Sequence, residues 1–264
     1  MELCSIASGS SGNCVYVGTD KTKILVDAGI SKKRIVKGLE SIDVEPQELK
    51  GIFITHEHSD HVSGLGVLSR KYHIPIYGTR ETLEYIQDMK NLGEIDIKLF
   101  HPILPDEPIY IEDLKINPFS IPHDASNPVC YTFEGEGHKA GVATDLGTYD
   151  DYIISRLEGC EILLLEANHD INMLQVGSYP YMLKRRILGD KGHLSNDNSG
   201  RLLCDLVQSG LKYIFLGHLS KENNYPELAY ETVRYELEQN GLLPSENLNI
   251  WVAKRDEPSR LVSV

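Results

Sequence analysis

The feature that most constrains this chain is a pair of short strand-like runs with no polar face, each ending on a residue able to do chemistry. Gly51-Ile52-Phe53-Ile54-Thr55 runs into His56, and Ile162-Leu163-Leu164-Leu165 runs into Glu166. Strands this apolar belong inside a layered domain, covered on both sides. The rest of the pattern supports layers. Cys14–Gly18 and Lys23–Val26 read as strands around the turn Thr19-Asp20-Lys21, and Ser31–Ser41 reads as a helix capped by Ser31. Val62–Tyr72 and Thr79–Met89 are expected to be helices, and residues Ile95–Val142 form a proline-punctuated β region. Then come a helix at Tyr149–Leu157, the strand Cys160–Glu166, a helix at Ser195–Gln208 and a strand at Lys212–Leu216. A long helix at Pro226–Gln239 and short strands at Asn249–Ala253 and Arg260–Val264 complete the chain. The order is β-rich, α, β-rich, α, with no internal repeat and no linker, so the expectation is one α/β domain over residues 1–264. Two sheets would pack together with helices outside.

Composition narrows the setting. With 41% hydrophobic and 25% charged residues in 264, the chain has globular rather than disordered or fibrous character. No apolar run approaches the ~18–20 residues that span a bilayer, and Met1–Ser5 lacks the basic start of a secretory signal. Five scattered cysteines without a CxxC pair suit buried thiols in a reducing compartment, so a cytoplasmic protein is expected. The 26 basic and 39 acidic residues leave a net charge of −13, which argues against loose wrapping of nucleic acid. It does not exclude a nuclease, because a metal site and a few local cations suffice to bind one phosphate.

The decisive segment is Thr55-His56-Glu57-His58-Ser59-Asp60-His61, with three imidazoles and two carboxylates directly after an apolar strand. Strand ends are where sites are built, since the strand is rigid and the loop frees its side chains. On a tight loop, His56 and His58 can point to one side while Asp60 and His61 turn to the other, a layout for two metal ions. The bland readings are a fortuitous His-rich loop or a single structural zinc. Four ligand-type residues at this spacing weigh against both.

The HxHxDH pattern at 56–61 resembles the hallmark of the metallo-β-lactamase superfamily, and further matches follow in that family's order. Val26-Asp27-Ala28-Gly29 resembles the early aspartate motif, in which Asp27 would support the metal loop from behind. Ile121-Pro122-His123-Asp124 resembles the third motif, Ala143-Thr144-Asp145-Leu146-Gly147 the fourth, and Phe215-Leu216-Gly217-His218 the fifth. The resemblance implies a four-layer αββα sandwich. It also implies His56, His58 and His123 on one ion, Asp60, His61 and His218 on the other, and Asp145 between them. Imidazole-rich ligation suits zinc, while the carboxylates leave manganese or iron open.

Within the superfamily, lactamases and glyoxalase-type thioesterases usually carry a Gly-His-Thr-like third motif, and this chain has Pro-His-Asp. Flavodiiron proteins replace the second His by Glu, and here it is His58. Only 72 residues separate Asp145 from His218, too few for the inserted cap domain of some nucleases. Glu166 and His193 resemble the glutamate–histidine relay of ribonuclease Z-like enzymes, although His193 could instead merely cap the helix beside Ser195. Lys184, Arg185 and Arg186, with Ser195 and Asn196, are the expected substrate contacts; the alternative for the three cations is a solvated helix face. The loop Ala7–Asn13 could bring amides to a phosphate or simply turn between strands. Taken whole, the chain is similar to the YycJ (WalJ, VicX) group of bacterial single-domain proteins of this fold, which implies a DNA exonuclease working from the 5′ end.

The expected mechanism is two-metal phosphodiester hydrolysis, with ions roughly 3.5–4 Å apart sharing a hydroxide aimed at phosphorus. Asp60 would take the nucleophile's proton, and His193, backed by Glu166, would assist the leaving oxygen. Nucleic acid, DNA foremost, is the expected partner; nothing points to a membrane, and no protein partner is indicated. Two rivals stay open: a phosphodiesterase for small or cyclic nucleotides, and a metal-bound regulatory module.

Overall fold

The computed structural model describes residues 1–242 and 248–264. The first sheet is made from β1 (Glu2–Ala7), β2 (Cys14–Gly18), β3 (Lys23–Val26), β4 (Leu49–Phe53), β5 (Ile76–Thr79) and β6 (Phe100–Ile103). The second runs from β7 (Ile109–Ile111) through β8 (Leu114–Ser120), β9 (Val129–Gly135), β10 (His138–Ala143), β11 (Ile162–Glu166) and β12 (Tyr213–Gly217) to β13 (Asn249–Val252). A final strand, β14 (Val262–Ser263), returns to pair with β1. The strand orders are 14-1-2-3-4-5-6 and 13-12-11-10-9-8-7. Each sheet is antiparallel in its earlier strands and parallel from β3 or β10 onward. Both sheets are therefore mixed.

Helices cover the outer faces: α1 (Lys32–Glu40), α2 (Ser59–Val62), α3 (Leu65–Tyr72) and α4 (Arg80–Asp88) from the first half, and α5 (Asp151–Leu157), α6 (Ile171–Val176), α7 (Tyr181–Leu188), α8 (Asn196–Leu206) and α9 (Pro226–Gln239) from the second. The four layers are helix, sheet, sheet and helix. Among the described residues no helix is long and apolar enough to cross a membrane.

Period-two alternation allots each strand's side chains to two different interiors. On β11, Ile162 and Leu164 face the other sheet with Phe53, Tyr131 and Phe215, while Leu163 and Leu165 face Leu202, Leu203 and Val233 under α8 and α9. On β2, Val15 and Val17 enter the space between the sheets, whereas Tyr16 packs under α1 with Ile35 and Leu39. This double burial is why those strands carry no polar face.

Several elements depart from expectation. The helix expected at 62–72 is two helices: α2 forms inside the histidine loop, and the chain breaks at Ser63-Gly64 before α3. Gly64 sits so close to the Ile30 carbonyl that a Cβ would lie 2.0 Å from its oxygen, and its N–H donates to Ala28. Strand β1, with α6 and α7, has no counterpart among the expected elements.

The site-bearing edge follows from this topology. Asp27, His56, Asp145 and His218 follow β3, β4, β10 and β12, and Glu166 is the last residue of β11. These are the strands of the two parallel halves, so their C-terminal ends lie along one edge of the sandwich, where mixed α/β sheets expose loops to ligands. His123 joins them from the end of β8.

Candidate metal centre

Three of these residues hold backbone that L-amino acids seldom adopt: Asp27, Asp145 and His218 have φ of 60°, 62° and 55°. Such left-handed turns at strand ends are disfavoured for residues with a Cβ and recur where a side chain has to be aimed. Asp27 turns inward and organises the histidine loop. Its Oδ1 accepts the Thr55 N–H at 2.9 Å, and its Oδ2 lies 2.7 Å from His61 Nδ1. That bond leaves His61 Nε2 for the site. The loop is clamped from the other side by Gly29, where a Cβ would lie 1.6 Å from the Asp60 carbonyl oxygen.

The side chains converge in two lobes. In one, His58 Nδ1 lies 3.0 Å from His56 Nε2 and 3.3 Å from His123 Nε2. In the other, Asp60 Oδ2 lies 3.3 Å from His218 Nε2 and 3.5 Å from His61 Nε2. Asp145 stands between them, with Oδ2 at 3.2 Å from His61 and Oδ1 at 3.7 Å from His123 and 3.6 Å from His218. Ligand atoms of His56, His58 and His123, of Asp60, His61 and His218, and of His56, His61 and Asp145 each lie within 4.8 Å of one another. All seven residues expected from the sequence as ligands meet at one place.

These residues fit divalent metal ions, on three observations. Three imidazole nitrogens face one another in the first lobe, and at most one of any facing pair can supply a hydrogen. Asp145 Oδ2 is buried and, among the described residues, has no well-formed hydrogen bond, only His61 Nε2 at 3.2 Å, an expensive condition for a carboxylate oxygen that a cation would relieve. The third is charge. Burial opposes protonation of His61, yet Asp27, Asp145 and Asp60 hold its pKa well above the usual histidine value. Burial likewise opposes protonation of His218, but Asp145, Asp60 and Glu166 push it up to about 10. The carboxylates draw positive charge into the cluster, the demand that a cation meets. In the other lobe, burial leaves His56 and His123 below the usual value, neutral and able to ligate.

Glu166 is fully buried behind the cluster. Burial works against its charge, but His193 and His218 hold its pKa down at about 2. Oε1 lies 2.9 Å from His193 Nδ1 and 2.7 Å from His218 Nδ1, while Oε2 accepts the Leu146 N–H at 2.9 Å and the Leu194 N–H at 3.2 Å. The sequence pattern pairs Glu166 with His193 alone; the second imidazole is a finding of the fold. His193 keeps some exposure, with Nδ1 3.5 Å from Asp145 Oδ1 and its ring 5.2 Å from that of His123. The expected helix-cap alternative goes to another residue, since Ser195 Oγ caps α8 by accepting from Asn198 N–H.

The expected substrate contacts separate. Successive residues on a helix point about 100° apart, so Lys184, Arg185 and Arg186 do not form one cationic face. Arg186 alone reaches the site, paired through both nitrogens to Asp124 beside His123. Arg185 lies over the Tyr181 ring at 6.0 Å. The Lys184 ammonium donates to the Gln175 and Gly177 carbonyls at 2.8 and 2.6 Å, which stitches α7 to the end of α6. Ser195 and Asn196 are both buried, one capping α8 and the other donating to Asn224 Oδ1 at 3.1 Å.

Sequence reasoning left the Ala7–Asn13 loop undecided, and the structure puts it against the cluster. Asn13 Nδ2 lies 3.2 Å from His61 Nε2, and Ser8 Oγ accepts the His218 N–H at 2.8 Å. Gly192, whose carbonyl takes His123 Nδ1 at 3.1 Å, went unmarked because a backbone acceptor leaves no trace in residue type.

Comparison with known proteins agrees with this geometry. Residues 22–214 match the family model described as the Beta-lactamase superfamily domain. Exodeoxyribonuclease WalJ of Streptococcus pneumoniae serotype 2 is 39% identical over 259 residues, covering 98% of this chain and 96% of that protein. Exodeoxyribonuclease YycJ of Bacillus anthracis is 36% identical over 256 residues, covering 97% and 96%. Among solved structures, zinc-bound PqqB from Methylobacterium extorquens superposes with a TM-score of 0.73 at 16% identity, covering 98% of this chain and 100% of that one; it bears on the fold alone. The chain belongs to the metallo-β-lactamase superfamily, in the group that contains WalJ and YycJ.

Proposed function

We propose that this chain is a metal-dependent phosphodiester hydrolase that degrades DNA from an end, with residues 1–264 acting as one unit. The observation that carries the reading is the convergence of His56, His58, Asp60, His61, His123, Asp145 and His218 on one edge of the sandwich, with His193 facing them. Substrate class is supported by the full-length relatives, both named exodeoxyribonucleases. A 5′-to-3′ direction follows from the group resemblance and is part of the proposal.

Two divalent ions are assigned. His56, His58 and His123 would hold one and Asp60, His61 and His218 the other, with Asp145 shared. The imidazole majority favours zinc and the carboxylates admit manganese. When bound, the ions supply Lewis acidity at the phosphate and lower the pKa of water.

The protein's own groups do the rest. Asp60 remains a carboxylate, because burial is overcome by His61 and His218; its place in the second lobe, rather than its basicity, makes it the acceptor for the attacking water's proton. His193, tied to Glu166 through Nδ1, is oriented to offer Nε2 to the leaving oxygen. Arg186 offsets phosphate charge at the His123 side. Five free thiols, four of them buried, support a reducing cytoplasmic setting.

The test is digestion of DNA and RNA, single- and double-stranded and labelled at either end, with manganese or zinc. Metal-dependent release of mononucleotides from the 5′ end of DNA is the expected result. No cleavage of any of them with either metal refutes the reading.

A further inference from the structure

A cavity of about 570 Å³ opens against the residues that follow His218 in the chain, with none of the clustered ligands in its wall. Its wall includes Ser8, which holds the His218 backbone, the segment Leu219–Lys221, and the residues after β13. It lies on the His218 side of the site, whereas Arg186 lies on the His123 side.

The charges lining the cavity do not cancel. Lys221, Lys254 and Arg255 face Asp256 and Glu257. Glu257 is taken by Lys254 at 3.0 Å, and Asp256 is drawn to Arg34 at 3.3 Å. Lys221 and Arg255 are left without a carboxylate at ion-pair distance among the described residues. Arg255 is the more telling of the two. It is half-buried, and burial pulls its pKa below the usual arginine value. Its guanidinium donates to the Leu219 carbonyl and to Ser11 Oγ. It also lies against Gly9, where a Cβ would come within 2.7 Å of it. Those acceptors are neutral. They orient the fork without compensating its charge, and a partly desolvated cation lacking a counter-ion is unfavourable until an anion arrives. Tyr225, half of whose surface is exposed, adds an aromatic ring to the same wall.

We propose that this cavity is a strand subsite, in which Arg255 and Lys221 take a nucleic-acid phosphate neighbouring the scissile one and Tyr225 stacks on its base. The inference rests on the nuclease reading and specifies how the strand lies, from the His218 side across the cluster toward Arg186. On a chain of net charge −13, the uncompensated cations of the His218 side draw the polyanion to that line, while Arg186 shares its charge with Asp124 at the far end.

The experiment measures binding of a fluorescein-labelled single-stranded DNA 12-mer by anisotropy over a salt series. It uses the full chain in EDTA, alongside KM and kcat for degradation of the same strand with manganese. Arg255→Gln is expected to raise Kd about ten-fold and Lys221→Gln about three-fold. Each should flatten the log K against log salt slope by about 0.7, the value for one phosphate contact to a single strand. KM should rise more than kcat falls. Lys37→Gln, an exposed cation on α1, should match the parent protein. Arg255 also braces two loops, so Lys221→Gln, exposed and unbonded, keeps the test open if the first variant misfolds. A parent that degrades DNA while Lys221→Gln and any folded Arg255→Gln keep its Kd and slope overturns the subsite alone. A parent that neither binds nor degrades DNA overturns the nuclease reading and the subsite with it.

Discussion

Glu166 holds His218 at 2.7 Å through the same carboxylate oxygen that it presents to His193 at 2.9 Å. One buried anion thus orients a residue assigned to a metal and a residue assigned to the leaving group. The two roles are mechanically coupled, and damage to one reaches the other.

Glu166→Gln should therefore lower both metal affinity and turnover. A neutral amide oxygen is a weaker acceptor for two imidazole N–H groups than a carboxylate, and loss of a partner behind a metal ligand typically weakens binding by about 10–100-fold. Metal content after dialysis against a buffered chelator, read beside kcat, checks this. Unchanged values of both would show that Glu166 is only a packing residue.

His58→Ala should abolish metal-dependent phosphodiester hydrolysis. His58 Nδ1 is the atom that both His56 and His123 approach, at 3.0 and 3.3 Å, so its removal opens the first lobe. Full activity at equal metal content would sink the ligand assignment.

Gly29→Ala should destabilise the protein by roughly 1–3 kcal/mol, the range of forced overpacking, toward its upper end. The added carbon would meet the Asp60 carbonyl and the Asn13 amide, both backbone groups that cannot swing aside. Urea unfolding measures the loss, and metal titration should reveal a weakened second lobe. Parent-like stability would mean that the histidine loop is more pliant than its contacts imply.

Thiol chemistry offers a check on the layers. Burial pushes Cys4 and Cys160 up to about 12 and raises Cys14 and Cys130 as well, whereas Cys204 is only half-buried. At pH 8 a disulfide reagent should modify Cys204 and spare the other four in the native protein, then modify all five in guanidinium. Fast native labelling of a second thiol would contradict the packing.

Asp113 ties the two sheets together at their turns, accepting from Thr22 Oγ1 at 2.7 Å and Thr19 Oγ1 at 2.8 Å. Partial burial works against its charge, but those hydroxyls hold its pKa below the usual carboxylate value. A depressed folded-state pKa adds stability that is present above the unfolded pKa and fades as pH falls through the folded one. Asp113→Asn should thus be less stable than the parent at pH 7, with the gap closing toward pH 3. Thermal unfolding across that range reads it, and a gap that widens on acidification would refute the sign.

Sequence by itself determined the layers and which side chains gather at the site. Apolar runs such as Ile162–Leu165 demand cover on both faces, and α1, α4, β2, β3 and α9 lie within a residue or two of where hydrophobic period and capping put them. His56 through His61 were legible because ligand chemistry at short spacing is local information. Strand β1 was missed for want of a clear alternating pattern, and the helix at 62–72 divides because Gly64 answers to a carbonyl in a distant segment.

What only the tertiary structure decided is how each side chain spends its polar atoms. Lys184, Ser195 and Asn196 look like phosphate contacts in a string of letters, yet each is committed to a nearby backbone or amide group. Glu166 acquires a second histidine, and Arg255 reaches Ser11 from 244 positions away. Residue type and spacing report what a group can do. Which partner it takes depends on distances that arise when separate strands are brought to one edge, and no local pattern encodes those.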